Sequence, residues 1–262
     1  MPSCLLTSVI NMRNIKLILE YEGTNYHGWQ SQAGNGGPTI QESLEQALTT
    51  LTKEDCKTFS SGRTDAGVHA FGHVANFLTR STIPAEAWAA ALNHLLPADI
   101  RVQTSEEAPL DFHARYSALS KIYKYRILNR RAPTALDRNF SWHVHTPLNI
   151  RRMREAAKYL TGKHDFSAFR GSGCGARSPV RTLKRLEIKK TGNVIELWFE
   201  ADAFLQYMVR NITGTLVETG LGRFSPGDVQ KMLKSCDRTT AGRTAPPQGL
   251  FLITVFYREE KR

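Results

Sequence analysis

Cysteine is scarce in this chain of 262 residues: only Cys4, Cys56, Cys174 and Cys236 are present. No two form a Cys-x-x-Cys pair and none has a histidine at ligand spacing. That excludes a disulfide framework and a structural zinc knuckle, and leaves reduced thiols of the kind found in cytoplasmic proteins. Long hydrophobic runs are missing as well. No stretch approaches the ~18 apolar residues a spanning helix needs, so no membrane role is expected. The opening MPSCLLTSVINMR has neither the basic start nor the apolar core of a signal peptide. Residues 1–13 are expected to be a disordered leader, with Met12 as an alternative start. Phosphate-binding glycine loops and dinucleotide fingerprints are absent from the sequence, so no nucleotide cofactor is implied. The eight histidines are scattered. His143 and His145 alternate on one prospective strand face, a spacing that suits surface histidines better than a metal pair, and no metal site is expected.

Acidic residues are also missing from the middle of the chain. Residues 113–190 carry 19 Lys and Arg against 4 Asp and Glu, a net of +15, while the rest carries 16 against 20, a net of −4. The overall +11 is therefore a concentrated basic segment. It is interleaved with Tyr116, Tyr123, Tyr125, Phe166 and Phe169. Basic side chains neutralise phosphates and aromatic rings stack on unpaired bases, so the segment suits RNA. A solvated basic surface is the plain alternative. An anionic membrane is disfavoured, because no basic amphipathic helix carries bulky apolar anchors.

Periodicity orders the elements. Ile15, Leu17, Leu19 and Tyr21 alternate as a half-buried strand, followed by the loop YEGTNYHGWQSQ and a turn at Gly34–Pro38. Thr39 and Glu42 make a capping box for a helix with Ile40, Leu44, Ala47, Leu48 and Leu51 on one face. Short strands are expected at Cys56–Ser60 and His73–Leu78. A helix opened by Pro84 carries Trp88, Leu92 and Leu95, and a strand follows at Asp99–Gln103. The order β-α-β-β-α-β is ferredoxin-like. A similar layout follows: a strand at Lys121–Asn129, a helix through Ile150, Met153, Ala157 and Leu160, and strands at Arg181–Lys189 and Val194–Glu200. A long helix from Phe204 to the Gly220/Gly222 stop, a helix from Ser225-Pro226 through Leu233 and a closing strand at Leu250–Tyr257 complete it. The fold class expected is α+β. Two ferredoxin-like βαββαβ halves, residues 14–112 and 113–260, form a continuous, mainly antiparallel sheet with helices on one side and a central RNA-binding cleft.

The segment Ser61-Gly62-Arg63-Thr64-Asp65-Ala66-Gly67-Val68-His69-Ala70 is too small and polar to build core. It places one carboxylate beside one cation in a loop open to close approach. Asp65 there is either a turn former bonding its own backbone or a nucleophile. Tyr123 and Tyr125 share a strand face, either as sheet core or with one ring free to stack on a base. Arg210, among Phe204, Leu205, Met208, Val209 and Ile212, is either an ordinary helix-surface cation or a partly buried one that needs an anionic partner.

The ordered run SGRTDAGVHA resembles the signature of the TruA family of tRNA pseudouridine synthases. FHARYSALSKIYKY, HDFSAFRGSGCGARSPVRTL, AFLQYMVRNITG and TAPPQGLFL are similar to further segments of that family. The resemblance extends from about Ile15 to Tyr257. It implies that Asp65 is the catalytic nucleophile, attacking either C6 of the uracil or C1′ of the sugar. It implies that Tyr123 stacks on the target uracil, with a proton role at C5 as a further hypothesis. Arg210 would pair with Asp65, holding it ionised and lowering its pKa. Arg63 would help draw the nucleotide from the helix and fill the vacated space. Gly249 and Leu250 would close the pocket wall. Arg115, Arg170, Arg177 and Arg181 would contact RNA backbone. The implied substrate is uridine at positions 38, 39 and 40 of the tRNA anticodon stem-loop, the implied assembly a homodimer, and no cofactor is called for. A non-catalytic tRNA-binding chaperone would keep the basic surface but has no need of Asp65 with Arg210. A metal-assisted nuclease wants converging carboxylates, and only Glu86 and Asp99 follow Asp65 within the next forty residues.

Overall fold

The computed structural model describes residues 12–31 and 37–258. Most of the expected leader, and the centre of the expected turn at Gly34–Pro38, lie outside the described residues.

Among the described residues, ten strands form one sheet. Their order is β4-β1-β3-β10-β5-β9-β8-β7, with β2 added to β3 and β6 added to β5. β1 (Arg13–Tyr21), β3 (His69–Thr79) and β4 (Ile100–Ala108) make one antiparallel set. β5 (Ser120–Asn129), β9 (Val194–Ala201), β8 (Val180–Thr191) and β7 (Gly162–Asp165) make another. The last strand, β10 (Leu250–Phe256), lies between them, antiparallel to β5 and parallel to β3. The remaining strands are β2 (Thr58–Ser60) and β6 (Trp142–Val144).

The period-two pattern in β1 has its predicted consequence. Ile15, Leu17, Leu19 and Tyr21 are buried on the face that carries the helices. Phe77 of β3 meets Trp88 of α2 (Trp88–Leu95) edge-on, with centroids 5.1 Å apart. α1 (Ile40–Thr52) opens on the predicted capping box, in which Thr39 Oγ1 accepts from the Glu42 amide and the Glu42 carboxylate accepts from the Thr39 amide. α3 (Ile150–Lys158) and α5 (Pro226–Ser235) complete the cover with α4 (Met208–Gly220), and α5 has its own box from Ser225 and Asp228.

The structure departs from the sequence reading at several points, each with an identifiable cause. α4 spans Met208–Gly220 and not Phe204 onward, because Tyr207 is left-handed (φ 62°) and breaks the helix before it starts. β3 starts four residues early, at His69, because β10 pairs with His69 and Ala70. Strands β6 and β7 are too short for a period to register. A bulge opposite Leu19 and Tyr21 pairs Tyr21 with Ala70, so Phe71 turns to the face away from the helices and stands half exposed. Among the described residues no three His, Cys, Asp or Glu side chains converge as a metal site, and His143 instead bonds the Arg130 carbonyl at 2.8 Å. No helix among them is long and apolar enough to cross a membrane.

Candidate active site

Asp65 sits in the loop 61–68 between β2 and β3, and this loop is fixed from several sides. The Ser61 amide donates to the Val74 carbonyl at 2.7 Å, and the Trp29 amide donates to the Thr64 carbonyl at 3.1 Å. Gly67 donates to the Tyr26 carbonyl at 3.3 Å. Beneath the loop, the Tyr21 hydroxyl bonds Thr64 Oγ1 at 2.9 Å and His73 Nδ1 at 3.2 Å. His73 is stacked on Trp29 with centroids 3.9 Å apart. Burial pushes its imidazole down to about 3, so the ring is neutral at physiological pH. The segment YEGTNYHGW is thus the clamp on the Asp65 loop, a role its sequence did not disclose.

Gly28 is where the clamp allows least change. Its φ is +88°, and a Cβ there would lie 2.4 Å from the Thr64 carbonyl oxygen. Gly28→Ala is expected to push the Asp65 loop out of place and lower turnover by about 10²-fold, the scale of an ångström-sized misplacement of a reacting group. RNA affinity, set elsewhere in the cleft, should change little. Single-turnover rates measured beside binding constants check this.

Arg210 lies in the first turn of α4, and the Tyr207 kink turns it toward the loop. Its Nη1 donates to Asp65 Oδ2 at 2.9 Å and its Nε donates to the Ala245 carbonyl at 2.8 Å. The guanidinium stands over the Tyr207 ring, 4.9 Å from its centroid. Side-chain exposure is 13% for Arg210 and 21% for Asp65, so the pair is mostly desolvated while one carboxylate edge stays accessible. Arg210 does lower the Asp65 pKa as anticipated, but the net direction is upward. Burial raises the carboxyl above its ordinary 3.8, and the hydrogen bond and charge of Arg210 offset that only in part.

Asp65 and Arg210 line a cleft of about 650 Å³ together with Arg63, Tyr123, Leu250 and Arg181. Tyr123 is 8% exposed, and its ring meets Phe204 edge-on at 5.0 Å. Burial, with the Asp65 charge adding to it, holds its phenol far above the usual range, so it remains protonated. Leu250, at the start of β10, pairs with Tyr125 and presents an apolar wall. Arg63 is exposed at the cleft mouth. Arg115 lines the cleft; Arg170 and Arg177 are not among its lining residues. Arg170 lies instead within electrostatic reach of Asp165, and Arg177 is exposed just past the lining residue Ala176.

Two lining groups had escaped the sequence reading. Lys121 follows from strand alternation, since it shares a face of β5 with Tyr123. Its ammonium donates to the Ser61 carbonyl. Burial, and then Arg115 and Arg181, lower it to about 8. Tyr207 gave no signal, because a left-handed non-glycine residue is set by its surroundings.

The arrangement is a cleft lined by cations, with a clamped carboxylate paired to arginine at its floor. The chain matches the family model described as tRNA pseudouridine synthase over residues 17–117 and 156–258. The chain belongs to the tRNA pseudouridine synthase family. It is 50% identical over 246 residues to tRNA pseudouridine synthase A of Thermoanaerobacter sp. (strain X514), which covers 94% of this chain and all of the relative. To tRNA pseudouridine synthase A 2 of Clostridium tetani it is 47% identical over 245 residues, 94% of this chain and 99% of the relative. To tRNA pseudouridine synthase A of Geotalea uraniireducens it is 49% identical over 248 residues, 94% of this chain and all of the relative. Family membership makes the chain an isomerase, and the matched regions take in the Asp65 loop, Arg115 and Arg210.

Proposed function

We propose that this synthase isomerises uridine to pseudouridine at positions 38, 39 and 40 of the tRNA anticodon stem-loop, with Asp65 as nucleophile. The observation that carries it is the Asp65–Arg210 pair, clamped at the floor of a cleft of about 650 Å³. The reaction breaks the C1′–N1 bond, turns the uracil and forms a C1′–C5 bond. The proton on C5 leaves and N1 gains one, so atoms balance without oxidant or group donor. Asp65 needs a desolvated, oriented carboxylate, and Arg210 orients it while offsetting part of the burial cost. Arg63, at the mouth, is placed to occupy the space that the extruded nucleotide leaves. Arg115 and Arg181 line the path of the RNA backbone, and Arg170 and Arg177 extend it beyond the cleft.

Tyr123 and Leu250 hold the uracil between a ring and an apolar wall. A phenol kept protonated is no standing base, but it relays a proton by releasing its own as it accepts one. Tyr123→Phe should keep RNA affinity within about threefold and reduce turnover by about 10²-fold or more, the range for loss of a positioned proton-transfer group. Normal turnover in that variant would leave Tyr123 a stacking role alone.

The same reading divides the chain into halves at 14–112 and 113–260. Support comes from the two matched stretches of the family model and from a sheet in which β10 bridges two antiparallel sets. It places the enzyme in the cytoplasm as a homodimer that holds tRNA across both subunits, which rests on the family likeness. The test is an unmodified tRNA transcript incubated with the protein and mapped by carbodiimide-dependent primer-extension stops. Stops at positions 38 to 40 are expected. Stops confined to other positions, or none, would overturn the assignment.

A further inference from the structure

Beside the cleft, three rings stand in a row, two of them open to solvent. Phe59 of β2 and His113 have centroids 4.9 Å apart; His113 and Tyr116 follow at 4.4 Å, each pair tilted by about 45°. Phe59 is 40% exposed and Tyr116 is 76% exposed. Folding does not account for a tyrosine so open, since it buries little apolar surface. The middle ring is nevertheless fixed. His113 Nδ1 accepts from the Arg115 amide at 3.1 Å, and the turn is closed by the Ser117 amide donating to the His113 carbonyl at 2.9 Å.

The row adjoins the active site through Arg115, which lies between His113 and Tyr116 in the chain, donates its amide to the His113 ring and lines the cleft that contains Asp65. The Arg115 guanidinium lies 5.7 Å from the Tyr116 centroid, and Arg115 and Arg181 both line the cleft within electrostatic reach of the buried Lys121. An apolar protein segment has no use for these cations, whereas an RNA strand has a phosphate for each and a base for the rings. Extruding a uridine also breaks the stacking of its neighbour, and the rings offer that neighbour a new surface.

We propose that Phe59, His113 and Tyr116 form a second base-binding site that stacks one unpaired nucleobase of the strand flanking the target uridine. The proposal rests on the reading that this cleft takes RNA. The site recognises a π-face and not a hydrogen-bonding edge, so it tolerates different bases and lets one enzyme act on different sequences. Its part is to hold the strand while Arg63 and Asp65 act on the neighbouring nucleotide.

The experiment uses anticodon stem-loop RNAs with a fluorescent adenine analogue placed singly at each nucleotide flanking the target. With the wild-type chain, binding should quench the analogue at one position. Tyr116→Ala should abolish that quenching and weaken binding about tenfold, and Phe59→Ala should do so by a similar factor. Turnover at saturating RNA should stay within about twofold, so the loss appears in KM and not in kcat. Tyr116→Phe should behave as wild type. The slope of log affinity against log salt should be unchanged by Tyr116→Ala but reduced in Arg115→Ala, which separates ring from charge. Unaltered quenching and affinity in a folded Tyr116→Ala would overturn the site. So would a change in the sedimenting mass of the free protein without a change in RNA affinity, which would make the rings a protein contact. A wild-type chain that neither binds nor isomerises RNA would sink the underlying reading instead, and turnover of the unlabelled stem-loop distinguishes the two failures.

Discussion

Asp65→Asn should bind the anticodon stem-loop about as tightly as the wild type and fail to isomerise it, with turnover down by at least about 10⁴-fold, as expected for removal of a nucleophile. The amide keeps the shape of the carboxylate and accepts one hydrogen bond from Arg210, so cleft and loop persist. Stability moves the other way. The Asp65 carboxyl is raised above its ordinary 3.8 in the folded chain, chiefly by burial. The folded state therefore holds the proton more tightly than the unfolded state, and keeping Asp65 ionised costs stability at neutral pH. That cost fades as pH falls through the folded value towards the unfolded one. A neutral amide avoids it. The variant should melt no lower than wild type at neutral pH, and the difference should narrow on acidification. A marked loss of melting temperature at neutral pH would mean that Arg210 stabilises the charge more than burial opposes it.

Arg210→Ala has the second large effect. It leaves a mostly buried carboxylate without its cation, while the Ala245 carbonyl loses its partner at 2.8 Å. A buried charge stripped of one partner costs about 3 kcal/mol at the lower end of such cases. Part of that is relieved when Asp65 takes up a proton, so its pKa climbs further. In wild type the acid limb of kcat/KM is expected above 3.8. In Arg210→Ala it should move to higher pH again, with turnover at neutral pH reduced by about 10²-fold or more. Combining Arg210→Ala with Asp65→Asn should recover melting temperature relative to Arg210→Ala alone, since the uncompensated charge is gone. An acid limb that does not move in Arg210→Ala would show that the ion pair does not govern the ionisation of Asp65.

The sequence disclosed what period and capping chemistry control. The alternation of Ile15, Leu17, Leu19 and Tyr21, the boxes at Thr39 and Ser225, and the long runs of β5, β8 and β9 all form as read. It also pointed to Asp65 and Arg210, which the fold brings within 2.9 Å of each other, because SGRTDAGVHA is long and ordered and Arg210 stands out among apolar neighbours. What it hid depends on contacts far apart in the chain. The early start of β3 is set by pairing with β10, nearly two hundred residues later. The shortened α4 is set by the conformation of Tyr207. The sign of the Asp65 shift turns on how much solvent the folded loop excludes, a quantity no motif carries. The clamp from Tyr21, Gly28 and Trp29 was in plain view as YEGTNYHGW, yet only the fold shows that it grips the Asp65 loop.

The most direct test follows tritium from C5-labelled uridine in an anticodon stem-loop, with wild type and Asp65→Asn side by side and no metal or nucleotide added. Release to solvent by the wild type, and none by Asp65→Asn despite equal binding, is the predicted result. Binding without release by either protein would contradict the account and leave an RNA-binding protein without this activity.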